Sequence, residues 1–371
     1  MRTLLPSLDS PLSITIVGAG LMGRLLAVRL AQDGHRVQVY GTGGPDAQGS
    51  AARVAAAMLA PLAESAVTEP GVVRMGQHGL ARWPQLLAQL AEPVFFQQDG
   101  TLIVWHRQDA ADAARLQHTL ERTQRTVEGL PALQPLDGAG LAQLEPTVAG
   151  RFHQGLYLPG EGQLDNRQLL SSLAATMQQL GVQVHWHTAR GLQDFAPGTP
   201  GESDLVLDCR GLGARAQWRE LRGVRGEVVR LHAPGVTLQR PTRVVHPRYP
   251  IYIAPKEGDV FVIGATEIES DDLSPASVRS TLELLSAAYA VHPGFAEARI
   301  LELATQCRPT LPDNLPAVRV VQPRVLEVNG LYRHGFMIAP AMLDVVMELL
   351  QTGQSRLAQR FDLRVQLQDN P

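Results

Sequence analysis

The sequence predicts an α/β protein of two interleaved parts, and three observations carry that prediction. Residues 13–31 pass from a β-branched run through a glycine-rich turn into an amphipathic helix. From 224 to 266 the chain turns strand-rich. After 299 the α/β pattern returns, with no internal repeat, low-complexity tract or long linker, so the parts are interleaved rather than strung in series. A chain of 371 residues is long enough for two such parts and a substantial core.

The turn is the most explicit segment. Ile14, Ile16 and Val17 suit a buried parallel strand, and Gly18, Gly20 and Gly23 fill the places of G-x-G-x-x-G. Gly18 permits the sharp turn, Gly20 lets a pyrophosphate approach the backbone, and Gly23 lets helix pack on strand. Leu21 and Met22 open a helix whose unpaired N–H groups favour an anion. Strand before and helix after make this a Rossmann-type dinucleotide grip. The second strand, 35–40, should end in an acid that holds a ribose hydroxyl, yet Gly41 stands there, followed by Thr42, Gly43 and Gly44. Asp46 is too far along to replace it.

Residues 49–64 are almost all small until Met58, which suits either an alanine-rich helix or a backbone that something large approaches. A helix is expected over 72–90, a hairpin over 95–105 through Asp99-Gly100, and a helix over 109–128 with Leu116, Leu120 and Val127 on one side. A short helix at 138–146, a turn-rich strand region at 155–165, a helix reaching Gly181 and a strand at 182–187 follow. His185 and His187 fall on one face of that strand, but no third ligand is evident and no metal is expected. A buried strand at 204–208 enters a second small-residue turn around Gly211. Strands are expected at 226–231, 244–246, 251–254 and 260–264, then a helix at 275–290, a strand at 299–304, a loop at 307–316, a strand at 325–328 and a helix at 340–350. Pro340 is placed in the first turn of that last helix, whose N-terminus is a second candidate anion site.

Composition excludes several classes. A hydrophobic content of 44% with 19% charged residues is that of a folded globular protein, and a net charge of −3 makes no case for nucleic acid or an anionic membrane as partner. Lys256 is the sole lysine, which reads as a coding bias. Cys209 and Cys307 form no metal-binding pair, and a reduced compartment is expected. The opening residues resemble neither a secretory signal nor a membrane span, so the location is expected to be cytoplasmic.

The ordered set of segments is more specific than any one of them. The glycine turn, residues 55–61 with Glu64, 222–227, 252–256, 264–267, 308–313 and 332–340 together resemble the D-amino-acid oxidase family of flavoproteins, and within it glycine oxidase of the thiamine-pathway type. The resemblance implies an FAD domain (1–80, 140–222, 305–371) interleaved with an α+β substrate domain (81–139, 223–304), whose mixed, mostly antiparallel sheet roofs the flavin. It implies FAD contacts from Gly18, Gly20, Leu21, Met22, Gly23, Thr42, Ala57, Met58 and Gly211, and from Arg333, His334, Gly335, Phe336, Met337 and Ile338. Arg308 matches the arginine that clamps the substrate carboxylate, Tyr252 the tyrosine that hydrogen-bonds it, and Arg333 the arginine of the C-terminal signature near flavin and substrate. A planar guanidinium offers a carboxylate paired donors, which lysine does not. His334 is a candidate catalytic residue, with no acid or base otherwise nominated.

The implied activity is oxidation of a small amine or amino acid such as glycine, sarcosine or a D-amino acid. Hydride passes from Cα to flavin N5, the imine hydrolyses, and oxygen is reduced to hydrogen peroxide. Three positions depart from the family pattern: Gly41 for the ribose acid, Leu331 where a His often stands, and His334 where an Asn is usual. Cys307 sits one residue off the spacing used for covalent flavin, so non-covalent FAD is expected, and a Gly41→Glu change is expected to tighten its binding. Two other readings stay open: a flavoprotein that modifies a side chain on a protein partner, and a flavin-binding module without turnover. NADP is disfavoured because no Arg directly follows the second strand. A homo-oligomer is expected, and pocket size depends on roof loops around 246–250 and Trp105.

Overall fold

The strand Ser13–Val17, which feeds the glycine turn, lies inside a seven-stranded sheet. It pairs in parallel with Arg36–Tyr40 on one side and Leu205–Asp208 on the other, so all three strands end level. Beyond Leu205–Asp208 come Val325–Asn329, Ala317–Gln322 and Arg364–Leu367, and beyond Arg36–Tyr40 comes Gln183–His185. Among the described residues, Ala317–Gln322 and Val325–Asn329 are the one antiparallel pair in this sheet. Its strands carry apolar side chains on both faces, as a covered parallel sheet requires: Ile14, Ile16, Leu205 and Leu207 are fully buried on one face, and Val17 and Val206 are buried on the other. The helices Leu21–Gln32, Asn166–Gln179 and Gly335–Thr352 contribute Leu26, Leu173 and Ile338 to the same core. The structure, a computed structural model, describes residues 4–245 and 251–367; the expected strand end at His246 and the roof loop 246–250 lie outside the described residues.

The second sheet has nine strands and is mixed and mostly antiparallel, as expected. Its long members are Arg222–His232 and Arg299–Thr310, paired along their length, with Val260–Gly264 and Ile251–Lys256 next in order. Among the described residues, the one parallel strand pairing joins Thr242–Val244 to Thr101–Val104. The helix Val278–Val291 packs on this sheet through Leu284, Ala288 and Val291. Lys256 ties the sheet to the first part of the molecule: its buried ammonium donates to Ala56 O (2.9 Å), Leu164 O (2.8 Å) and Gln163 Oε1 (3.0 Å). The only lysine is therefore an internal staple, where the sequence suggested only coding bias.

Four expectations are corrected. Asp99-Gly100 does turn the chain, but Phe96–Gln97 pairs with Gly162–Leu164 while Thr101–Val104 pairs with Gln154–Leu158, so the two strands enter different sheets and form no hairpin. Residues 307–310, expected as loop, continue the strand Arg299–Thr310; Pro309 is tolerated because this strand is paired on one side only among the described residues. His187 adopts φ 54° and the strand stops at His185, which stacks on Tyr40 at 4.4 Å, so the two histidines do not share a strand face. Among the described residues no cluster suited to a metal ion is present.

The last helix begins at Gly335, which puts Pro340 inside it rather than in its first turn. An interior proline leaves the carbonyl four residues back without a helical donor. Here that carbonyl, Phe336 O, accepts from the buried indole Nε1 of Trp83 at 2.9 Å, so the helix continues unbroken. Among the described residues, Tyr332–Thr352 alone is long and apolar enough to cross a membrane. Its apolar surface is spent in the core, where Ile338, Ala339, Ala341 and Met342 are fully buried.

Candidate active site

The glycine turn is shaped by the strand beside it. Gly18 has φ 110°, and a Cβ there would lie 2.5 Å from the carbonyl carbon and oxygen of Cys209. Gly23 packs so closely on the turn that a Cβ would meet Gly18 O at 1.9 Å. Gly20 differs: the nearest atom to its Cβ position is Ser50 Oγ at 3.5 Å, so the space above it is open. The turn therefore uses two glycines for packing and one for a cradle.

Behind the turn, the fully buried Arg24 holds Gly44 and Pro45 in place. Its guanidinium donates to Ala19 O, Pro45 O, Leu170 O and Gly44 O, at 2.8, 2.8, 2.6 and 3.2 Å, and lies 5.0 Å from the Trp186 ring centre. Burial lowers its pKa to about 10, with Asp46 pulling the other way. Gly41 packs on the turn itself, because a Cβ would stand 2.6 Å from Ala19 Cβ. The expectation that Gly41→Glu tightens cofactor binding fails on this contact, since a side chain there pushes the turn out of shape.

A continuous cavity of about 630 Å³ runs from Gly18 and Gly20 to the underside of the second sheet. Leu21, Met22, Thr42, Ala57, Met58 and Gly211 line it, as do Arg333 to Met337, Tyr252 and Arg308. Gly23 and Ile338 do not; they belong to the packing behind it. The run around Ala55 resolves in favour of close approach: helix is confined to Ala51–Val54 and Pro61–Glu64, and between them Ala57 takes φ 53° while Lys256 holds Ala56 O.

The cavity fits FAD on three counts. It opens over the Gly20 cradle. The helices Leu21–Gln32 and Gly335–Thr352 both begin at its wall, with no side-chain cap and no acid in the first turn, so their free N–H groups suit anionic groups. Its length joins the grip to the second sheet, where Arg308 and Tyr252 stand.

Their placement is set by register. Val224 pairs with Arg308 and Tyr252 with Gly264. The Arg308 guanidinium lies over Gly226, where a Cβ would come within 2.5–2.7 Å of its Nη2, Cζ and Nη1. The Tyr252 hydroxyl similarly lies over Gly264, 2.9 Å from the Cβ position. Arg308 donates to Thr266 O at 3.2 Å and Arg225 O at 3.4 Å, and among the described residues it makes no ion pair with a carboxylate. Burial lowers its pKa, with Tyr252 and Glu267 opposing and Arg333 adding to the drop. Burial raises the Tyr252 phenol, so it stays protonated and able to donate.

Arg333 and His334 are held in a buried network. Glu64 Oε2 lies 2.9 Å from Arg333 Nε and 3.4 Å from His334 Nδ1, and Glu64 Oε1 accepts from Arg243. Burial pushes the Glu64 carboxyl up, but Arg333, Arg243 and His334 together hold it well below the usual range. His334 is driven down to about 4, by burial first and by Arg333 and Arg243, against the pull of Glu64; it is neutral at physiological pH. Arg333 Nη1 also donates to Glu267 Oε2 at 2.7 Å, and the Tyr332 hydroxyl donates to the other oxygen of that carboxylate. Arg333 is thus committed to two carboxylates and Arg308 to none.

Sequence reading assigned no role to Gly226, Gly264, Arg243, Glu64 or Glu267. Glu64 had a signal, being an acid in an otherwise apolar run, whereas the glycines show their purpose only once the strands are paired. Cys307 Sγ donates to Ser270 O at 3.4 Å, and burial raises its thiol, which suits an inert cysteine.

Residues 13–349 match the family model described as FAD dependent oxidoreductase, DAO. A putative thiamine biosynthesis oxidoreductase ThiO of Rhizobium etli is 39% identical over 354 residues, covering 94% of this chain and 99% of that protein. The crystal structure of glycine oxidase from Geobacillus kaustophilus superposes with a TM-score of 0.78 at 24% identity, over 93% of this chain and 96% of that one. The iminodiacetate oxidase of Chelativorans sp. BNC1 shares the fold with a TM-score of 0.77 at 20% identity, over 95% of this chain and 99% of that one.

Proposed function

The chain belongs to the DAO family of FAD-dependent oxidoreductases, and on that premise we propose that it oxidises a small amino acid or amine of the glycine, sarcosine or D-amino-acid class. The observation that carries the reading is Arg308: a guanidinium without a carboxylate partner among the described residues, beside a protonated tyrosine hydroxyl, in the cavity that begins at the dinucleotide turn. Bound FAD would accept a hydride from the substrate carbon next to nitrogen and pass the electrons to oxygen, which leaves as hydrogen peroxide.

The chain's own residues bind and orient. Arg308 presents its fork to the substrate carboxylate, with Thr266 O and Arg225 O fixing the plane of the guanidinium, and Tyr252 donates to the same carboxylate. The N-termini of Leu21–Gln32 and Gly335–Thr352 face anionic parts of the cofactor. Neutral His334 adds no charge, and the Arg333–Glu64 pair fixes the floor beneath it. The inert Cys307 agrees with non-covalent FAD.

The test is a visible spectrum of the purified protein followed by anaerobic titration with glycine, sarcosine and D-alanine. A yellow protein bleached by one of them, with peroxide formed on readmission of air, supports the reading. A protein that stays colourless with added FAD, or a yellow one that no small amine bleaches, refutes it.

A further inference from the structure

Two arginines, Arg308 and Arg333, line the end of the cavity beneath the second sheet, with Arg243 buried behind them, and the partners of the three differ. Arg243 is paired with Glu64. Arg333 is paired twice, with Glu64 through Nε at 2.9 Å and with Glu267 through Nη1 at 2.7 Å. Arg308 has only backbone carbonyls as partners among the described residues. The two carboxylates on Arg333 are not equivalent. Glu64 is buried in the floor, with 11% of its side chain exposed, whereas Glu267 is 40% exposed and lines the cavity beside Arg308. The Tyr332 hydroxyl fixes Glu267 from its other oxygen, so it cannot swing away without giving up two partners.

We propose that Glu267 restricts this site to substrates carrying a single carboxylate, by occupying the second arginine with a carboxylate of its own. The inference rests on the reading of Arg308 as the substrate clamp. One substrate carboxylate takes Arg308. A second would have to displace Glu267 from Arg333 or lie against its negative charge, and like charges at contact disfavour binding. Glu267 is thus a specificity-determining residue: glycine, sarcosine and D-alanine fit, and their dicarboxylate counterparts are refused.

Iminodiacetate is the direct probe, being sarcosine with a carboxylate added to its methyl group. In the holoenzyme, kcat/KM for sarcosine is expected to exceed that for iminodiacetate at least tenfold. Glu267→Gln keeps the hydrogen-bonding shape and removes the charge, and should raise the iminodiacetate-to-sarcosine ratio by about 10- to 100-fold, the scale of one charged hydrogen bond. Adding Arg333→Met to Glu267→Gln should abolish that gain. Binding of acetate and malonate, read by calorimetry, supplies a measure that needs no turnover: Glu267→Gln should tighten malonate and leave acetate within about twofold. Equal use of the two substrates by the unaltered enzyme, an unchanged ratio in Glu267→Gln, or a gain that survives Arg333→Met overturns the proposal. Malonate discrimination without any amine oxidation would instead sink the oxidase reading while leaving the Glu267 assignment standing.

Discussion

Replacing Gly226 by alanine tests the proposed clamp, Arg308, separately from the fold. The added Cβ would lie 2.5, 2.6 and 2.7 Å from the Arg308 Nη2, Cζ and Nη1 atoms, against an ordinary contact of about 3.5 Å, so the guanidinium must retreat by about 1 Å. It can do so, because it is the end of a flexible side chain held by carbonyls at 3.2–3.4 Å. The backbone at 226 is ordinary strand with no positive φ, so alanine carries no conformational penalty and lowers the entropy of the unfolded chain. Thermal stability should therefore hold or rise slightly. Catalysis should not: a shift of about 1 Å in a positioning group reduces rate by as much as about 100-fold, close to 2.7 kcal/mol of transition-state binding. Steady-state oxygen consumption with glycine and sarcosine, together with a melting curve and FAD affinity, makes the assay. A lowered kcat/KM with unchanged melting and FAD binding is expected. An efficiency within about twofold of the parent would show that Arg308 does not act from its place over Gly226.

Further expectations follow from other contacts. Gly41→Glu should weaken FAD binding, because its Cβ collides with Ala19 Cβ in the cofactor turn; titration of the apoprotein showing tighter FAD would contradict this. Lys256→Met leaves three buried acceptors without their donor and should destabilise the protein by about 2 kcal/mol or more, read in urea, whereas a change below about 0.5 kcal/mol would deny Lys256 its structural part. Burial raises Glu161 to about 7 from 4.5, against the Ala63 N–H that donates to it, so the folded state holds a proton that the unfolded state releases. That stability is complete below pH 4.5 and is lost as pH rises through 7, and Glu161→Gln should flatten the melting temperature between pH 5 and 8; parallel slopes for both proteins would rule the effect out.

The dinucleotide turn was legible because everything it needs is local: strand, three glycines and helix within about twenty residues. The strand-rich middle was equally plain from its β-branched runs. What escaped the sequence depends on distant partners. Residues 307–310 look like a loop because Pro309 removes a donor, and only pairing with Arg222–His232 makes them strand. Pro340 reads as a helix start until Trp83, far away in the chain, supplies a donor for Phe336 O. Asp99-Gly100 has the chemistry of a hairpin turn, yet its flanking strands find better partners in separate sheets. Arg308 was reached through the resemblance alone, since no local feature distinguishes it from other arginines. Its cradle over Gly226, and the commitment of Arg333 to Glu64 and Glu267, exist only in three dimensions.

The order of strands also constrains how the cavity can open. The chain crosses between the seven-stranded and nine-stranded sheets at 41–100, 159–182, 209–221 and 311–316. Two bodies joined by a single tether can swing apart like a hinge, whereas bodies laced by four crossings share their strain and move only as far as the tautest allows. Passage to Arg308 is then a matter of small local displacements along the cavity wall. No proteolytic cut or truncation can release either sheet as an intact piece, and the molecule is expected to melt in one step.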